Sequence, residues 1–120
     1  MRVLSACATV ILCATLLVMP AAAATVTVKG EVVDLACAFE KGEAGSGNAH
    51  SACALACAKE GKLVGVLTDD EIYELTGDFT ANRNARLLDF VAKAVTVTGE
   101  VTERDGKQLL NIKTIRVTAK

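Results

Sequence analysis

The last third of the chain does most to limit the fold. Val95, Val97 and Val101 alternate with Thr96, Thr98, Glu100 and Thr102, Asp105-Gly106 supplies a turn, and residues 109–117 return. A period of two sends one set of side chains to a buried face and the other to water, so the segment reads as a β-hairpin. Along the returning strand the apolar phase slips between Ile112 and Ile115. One extra residue in a strand does this, so a bulge or bend is expected there.

The other end of the chain falls outside any fold. Residues 1–24 open with Arg2, continue through an apolar run over 3–19, and finish with Pro20 and four alanines. That is the layout of a secretory signal peptide, with Ala22 and Ala24 suited to the −3 and −1 positions before a cut ahead of Thr25. Leu4-Ser5-Ala6-Cys7 matches a lipoprotein cleavage box but lies too close to Met1 to have an apolar leader in front of it. If the leader were retained, its apolar run would sit at the short limit of a membrane span. With cleavage no membrane association is expected, and the protein is placed in the periplasm or outside the cell.

Residues 25–120 suffice for one domain. Losing the leader removes Arg2 and no acid, so the whole chain's net charge of −1 becomes −2. Such a surface lacks the basic block that phosphate neutralisation needs, which disfavours nucleic acid. Phe39, Tyr73, Phe79 and Phe90 are too scattered for a base-stacking platform and read mostly as core.

Between the two ends, residues 25–34 alternate Thr and Val before Val32-Val33 and read as a strand. Residues 41–48 read as a flexible glycine-rich loop without a phosphate-cradle lysine. A helix over 50–60 follows, capped by Asn48 or Ser46 and stopped at Gly61. Residues 62–68 and 71–76 form a second hairpin, and 82–93 carries Ala85, Leu88 and Val91 at helical spacing.

The order is strand, insert, strand, strand, helix, strand, strand. It fits a mainly β fold with short helices: a five-stranded OB-like small barrel with a Cys/His helix inserted at about 37–61, after strand 1. Gly30-Glu31-Val32-Val33-Asp34 and Val95-Thr96-Val97-Thr98-Gly99-Glu100-Val101 resemble the paired strands of small exported bacterial OB-fold-like proteins. The resemblance implies a fold and leaves function to the site.

The insert carries the chemistry. Cys37, His50, Cys53 and Cys57 lie within 21 residues, and residues 25–120 hold no other cysteine or histidine. An exported chain enters an oxidising compartment where cysteines pair, yet three is odd. On a helix, at about 100° per residue, His50, Cys53 and Cys57 fall at roughly 0°, 300° and 340° and share one face. Cys37, brought back by the glycine loop, completes the four soft or borderline donors that one tetrahedral Zn(II) or Cu(I) ion needs. Asp34 is a candidate acceptor behind His50.

The helix is otherwise alanine-rich apart from Leu55, so packing alone would hold it weakly. A disulfide is the rival fastener. Joining Cys37 to Cys53 or Cys57 would close a loop that the chain-entropy model values at roughly 3 kcal/mol, with one thiol spare. Inert packing of small cysteines is the plainest alternative. Asp69, Asp70 and Glu71 read as a solvated turn rather than a Ca(II) site. A Cys-His nucleophile pair is conceivable, but the neighbouring thiols favour coordination or oxidation, so no enzyme is expected.

Two functions follow. The first is metal binding for structure or for carriage between a metal-donor and a metal-acceptor protein. The second is a disulfide-stapled module that binds a small ligand, a glycan or a protein on the barrel face.

Overall fold

The computed structural model describes residues 23–118, so all of the expected leader except its last two residues lies outside the described residues. Five strands close a barrel: β1 (Ala24–Asp34), β2 (Val64–Leu67), β3 (Ile72–Thr76), β4 (Ala94–Arg104) and β5 (Lys107–Val117). Their order around the barrel is β1-β2-β3-β5-β4, with β3 and β5 parallel and every other pair antiparallel. The mainly β, OB-like barrel read from the strand pattern is the fold observed, and the Cys/His segment fills the β1–β2 connection.

Alternation explains the long strands. Val95 and Val97 from β4 meet Leu110 and Ile112 from β5 in a core completed by Val32, Val64, Val66, Leu75, Leu87 and Val91. The expected irregularity in β5 is there. Thr98 pairs with Thr114 and Gly99 with Ile112, which leaves Lys113 as the extra residue of a bulge. A second, smaller cluster of Val33, Leu35 and Ala38 sits under the insert, with Leu67 and Ile72 against it.

Three helical expectations need correction. Residues 35–41 form a helix, α1 (Leu35–Lys41), that strand and loop patterns did not reveal, followed by a 3-10 turn over Gly42–Gly45 in the stretch expected to be loop. The insert's main helix, α2 (Ser51–Lys59), is preceded by a 3-10 turn over Asn48–His50. Its N-cap position is therefore His50, and no side chain caps it. At the other end Gly61 stops the helix as expected. It takes φ of 85° while its N–H donates to Ala58 O (2.9 Å) and that of Lys62 to Cys57 O (3.2 Å).

The amphipathic helix expected over 82–93 is absent. In its place α3 (Ala81–Asn84) is a turn with Asn82, Arg83 and Asn84 at φ of 51°, 54° and 59°, followed by a 3-10 turn over Leu88–Phe90. Of the residues chosen by helical spacing Val91 is buried and Leu88 packs partly buried against the core, whereas Ala85 is exposed; the neighbouring Leu87 is fully buried. The reason for the broken helix is Asn84, whose amide donates to Ala58 O (3.0 Å) and Lys62 O (2.9 Å) from a buried position. Those bonds hold the backbone left-handed, a conformation that asparagine tolerates better than most residues.

Of the four aromatics read mostly as core, Tyr73, Phe79 and Phe90 pack against it, whereas Phe39 is 69% exposed. Asp69, Asp70 and Glu71 lie exposed in the β2–β3 turn, where the Thr68 hydroxyl oxygen accepts from two backbone N–H groups.

Candidate metal centre

Four short elements meet at one rim of the barrel. Asp34 is the last residue of β1, paired with Val64 at the start of β2, and so is held rigidly by the sheet. Its carboxylate is also the N-cap of α1, accepting the Cys37 backbone N–H at Oδ2 (3.3 Å). This bond puts Cys37 in the first turn of α1, directly over Asp34. Gly45 then lets the chain double back against the Cys37 carbonyl, at a distance a Cβ would not fit. Glu31 of β1 anchors the return by accepting the Gly47 N–H (2.6 Å). The turn that follows ends in His50.

Helix α2 docks through Ala54 and Ala58, both buried in the main core, with Leu55 partly buried beside them. The face next to them carries the thiols. Cys37 is buried, Cys57 half-buried and Cys53 exposed, and all three are free.

The donors form two overlapping groups. The sulfurs of Cys37, Cys53 and Cys57 lie within 4.8 Å of one another, and so do ligand atoms of Asp34, Cys37 and His50. Sulfurs bound at about 2.3 Å to one tetrahedral ion sit roughly 3.8 Å apart, so an ångström or less of adjustment closes the sulfur group. Cys37 is common to both groups, and neither holds all four donors read from the sequence. His50 stands with Asp34 and Cys37 rather than with the outer pair of thiols. Asp34, read only as an acceptor behind His50, is itself in position to ligate. The signal that could have promoted it is its place ahead of an alanine-rich run, where an aspartate caps a helix and faces its first turn.

Burial and charge mark the inner group. Asp34 is 1% exposed and His50 7%, yet Asp34 Oδ1 and His50 Nε2 have no hydrogen-bond partner. Burial raises the Asp34 carboxyl, but hydrogen bonds from the Cys37 thiol and backbone, the Cys57 thiol and the Ala36 backbone outweigh it and hold the group below its ordinary value. Asp34 is therefore a buried anion with one oxygen unused. The same contact, with burial and the Asp34 charge added, pushes the Cys37 thiol up to about 12. Burial and Asp34 also raise Cys57, against the pull of the Lys62 ammonium 3.9 Å from its sulfur. Such thiols stay protonated until a cation replaces the proton.

A cavity of about 440 Å³ is lined by Leu35, Phe39, Ile72, Glu71, Glu74 and Lys107 among others, and by none of the five donors. No helix among the described residues is long and apolar enough to cross a membrane. No protein-family model, curated protein or solved structure matches the chain.

Proposed function

We propose that this chain is an exported metal-binding protein that holds one Zn(II) or Cu(I) ion with donors drawn from Cys37, His50, Cys53 and Cys57 and from the adjoining Asp34, to brace the insert or to carry the ion between a donor and an acceptor protein. The observation that carries the reading is the pair of unpartnered buried atoms, Asp34 Oδ1 and His50 Nε2, beside three clustered sulfurs. A buried polar atom left unpaired costs about 1–3 kcal/mol, and more when charged. A cation answers both atoms and the raised thiols at once, where a disulfide would leave the carboxylate and the imidazole as they are. The leader-like residues 1–24 support export to the periplasm or beyond. Clustered thiols favour coordination or oxidation over acyl chemistry, so the role we propose is binding rather than catalysis.

The cavity over Leu35 and Phe39 favours one second reading, a disulfide-stapled module for a small ligand. Elemental analysis and intact mass of protein isolated from its native compartment separate the two. Near-stoichiometric Zn or Cu, with all three thiols alkylatable after chelation, is expected. Metal-free protein lighter by two hydrogens, with a single alkylatable thiol, overturns the metal reading in favour of the module.

A further inference from the structure

We propose that the five donors divide by ion: Cu(I) takes the sulfurs of Cys37, Cys53 and Cys57, and Zn(II) takes Asp34, Cys37 and His50. The inference rests on the metal-binding reading above and deepens it by assigning each ion its own donors.

The two groups differ in softness, charge and exposure. The outer one is all sulfur and reaches solvent at Cys53. Thiolate-only coordination suits a soft monovalent ion, whereas imidazole and carboxylate suit a borderline ion such as Zn(II). Charge gives the same division. Three thiolates around Cu(I) carry a net −2, which is tolerable only near water and a counter-charge. Both are present, since Cys53 is exposed and the Lys62 ammonium stands 3.9 Å from the Cys57 sulfur. The inner group is buried throughout. One carboxylate, one thiolate and a neutral imidazole around Zn(II) sum to zero, the charge that costs least to bury. Three protein donors leave the fourth Zn(II) position to a water. The two unpartnered atoms both belong to this inner group, which is a site lacking its cation on grounds independent of the sulfurs.

Cys37 is common to both groups, so its loss should weaken both ions, whereas loss of any other donor should weaken one. The test loads reduced wild-type protein anaerobically with Cu(I) or with Zn(II) and counts ligands by X-ray absorption. Three sulfurs around Cu(I), and one sulfur with nitrogen and oxygen around Zn(II), are expected. Affinities of variants then check the assignment. Cys53→Ser should cost Cu(I) about a hundredfold or more and leave Zn(II) nearly unchanged, and His50→Gln and Asp34→Asn should do the reverse, because losing a ligand costs at least as much as losing its supporting partner. Asp34→Asn keeps an oxygen to cap α1, and the wild-type spectra do not depend on any variant folding. Equal sulfur counts for the two ions, or parallel losses across the variants, overturn the division while leaving the metal-binding reading in place. A wild-type protein that binds neither ion overturns both.

Discussion

Cys37 concentrates the chemistry of this protein in one side chain. Its thiol donates to Asp34, and that bond, burial and the Asp34 charge together lift it from an ordinary 9.0 to about 12. A group raised in the folded state favours folding fully below its unfolded value, and that contribution is lost as pH climbs toward the folded one. Metal-free, reduced protein should therefore lose stability as pH rises from about 9 toward 12, a range in which the unfolded chain releases the proton and the folded chain does not. Denaturant midpoints across this range check it, and Cys37→Ser should flatten the slope. A wild-type slope no steeper than the variant's would mean that Asp34 does not hold the thiol. The cysteines and His50 were legible as donors because residues 25–120 contain no others. Asp34 was harder to single out, because carboxylates are common, and what distinguishes it is burial together with its capping bond to Cys37.

Helix α2 owes its position to its ends more than to its packing. Two small alanines anchor it to the core, and its C-terminal turn is closed by Gly61 and gripped by Asn84. The Asn84 amide donates to the carbonyl of Ala58, the residue after Cys57, and to that of Lys62. Replacing Asn84 with alanine removes two hydrogen bonds worth about 1 kcal/mol each. It also places a residue less suited than asparagine at a positive φ, so the total loss should be roughly 2–3 kcal/mol. Chemical denaturation measures that loss, and metal affinity should fall with it as Cys57 loosens. A change under 0.5 kcal/mol, the size of an ordinary surface substitution, would show that the grip is not energetic. The same residue explains where the sequence was and was not readable. Strands β4 and β5 and even the bulge at Lys113 follow from local alternation, which is a property of neighbours in the chain. The helix expected over 82–93 had correct spacing and failed because Asn84 bonds across 22 and 26 residues, a preference that no local pattern records. Helix α1 was missed for the opposite reason: seven residues are too few to show a period, and only the aspartate before them signals a start.

Barrel and insert are joined by shared residues rather than by a linker. Val32 belongs to the main core and Val33 to the cluster under α1, so adjacent positions of β1 serve both parts, and Asp34 carries the strand into the candidate metal centre. Ala54 and Ala58 return the favour by filling the main core from α2. A Zn(II) ion drawing Asp34, Cys37 and His50 together therefore ties α1 and the turn ahead of α2 to β1 and should stabilise the whole unit, not the insert alone. Binding to the folded state only adds about 2.7 kcal/mol at a hundred times the dissociation constant. For a domain of this size 1 kcal/mol moves Tm by roughly 4–8 °C. Saturating Zn(II) should thus raise Tm by about 10–20 °C over chelated protein in one cooperative transition, and calorimetry under reducing conditions reads both features. Two separate transitions would show that the insert melts away from a barrel that stands without it. A single transition unmoved by the ion would mean that the donors, though adjacent, do not close on it.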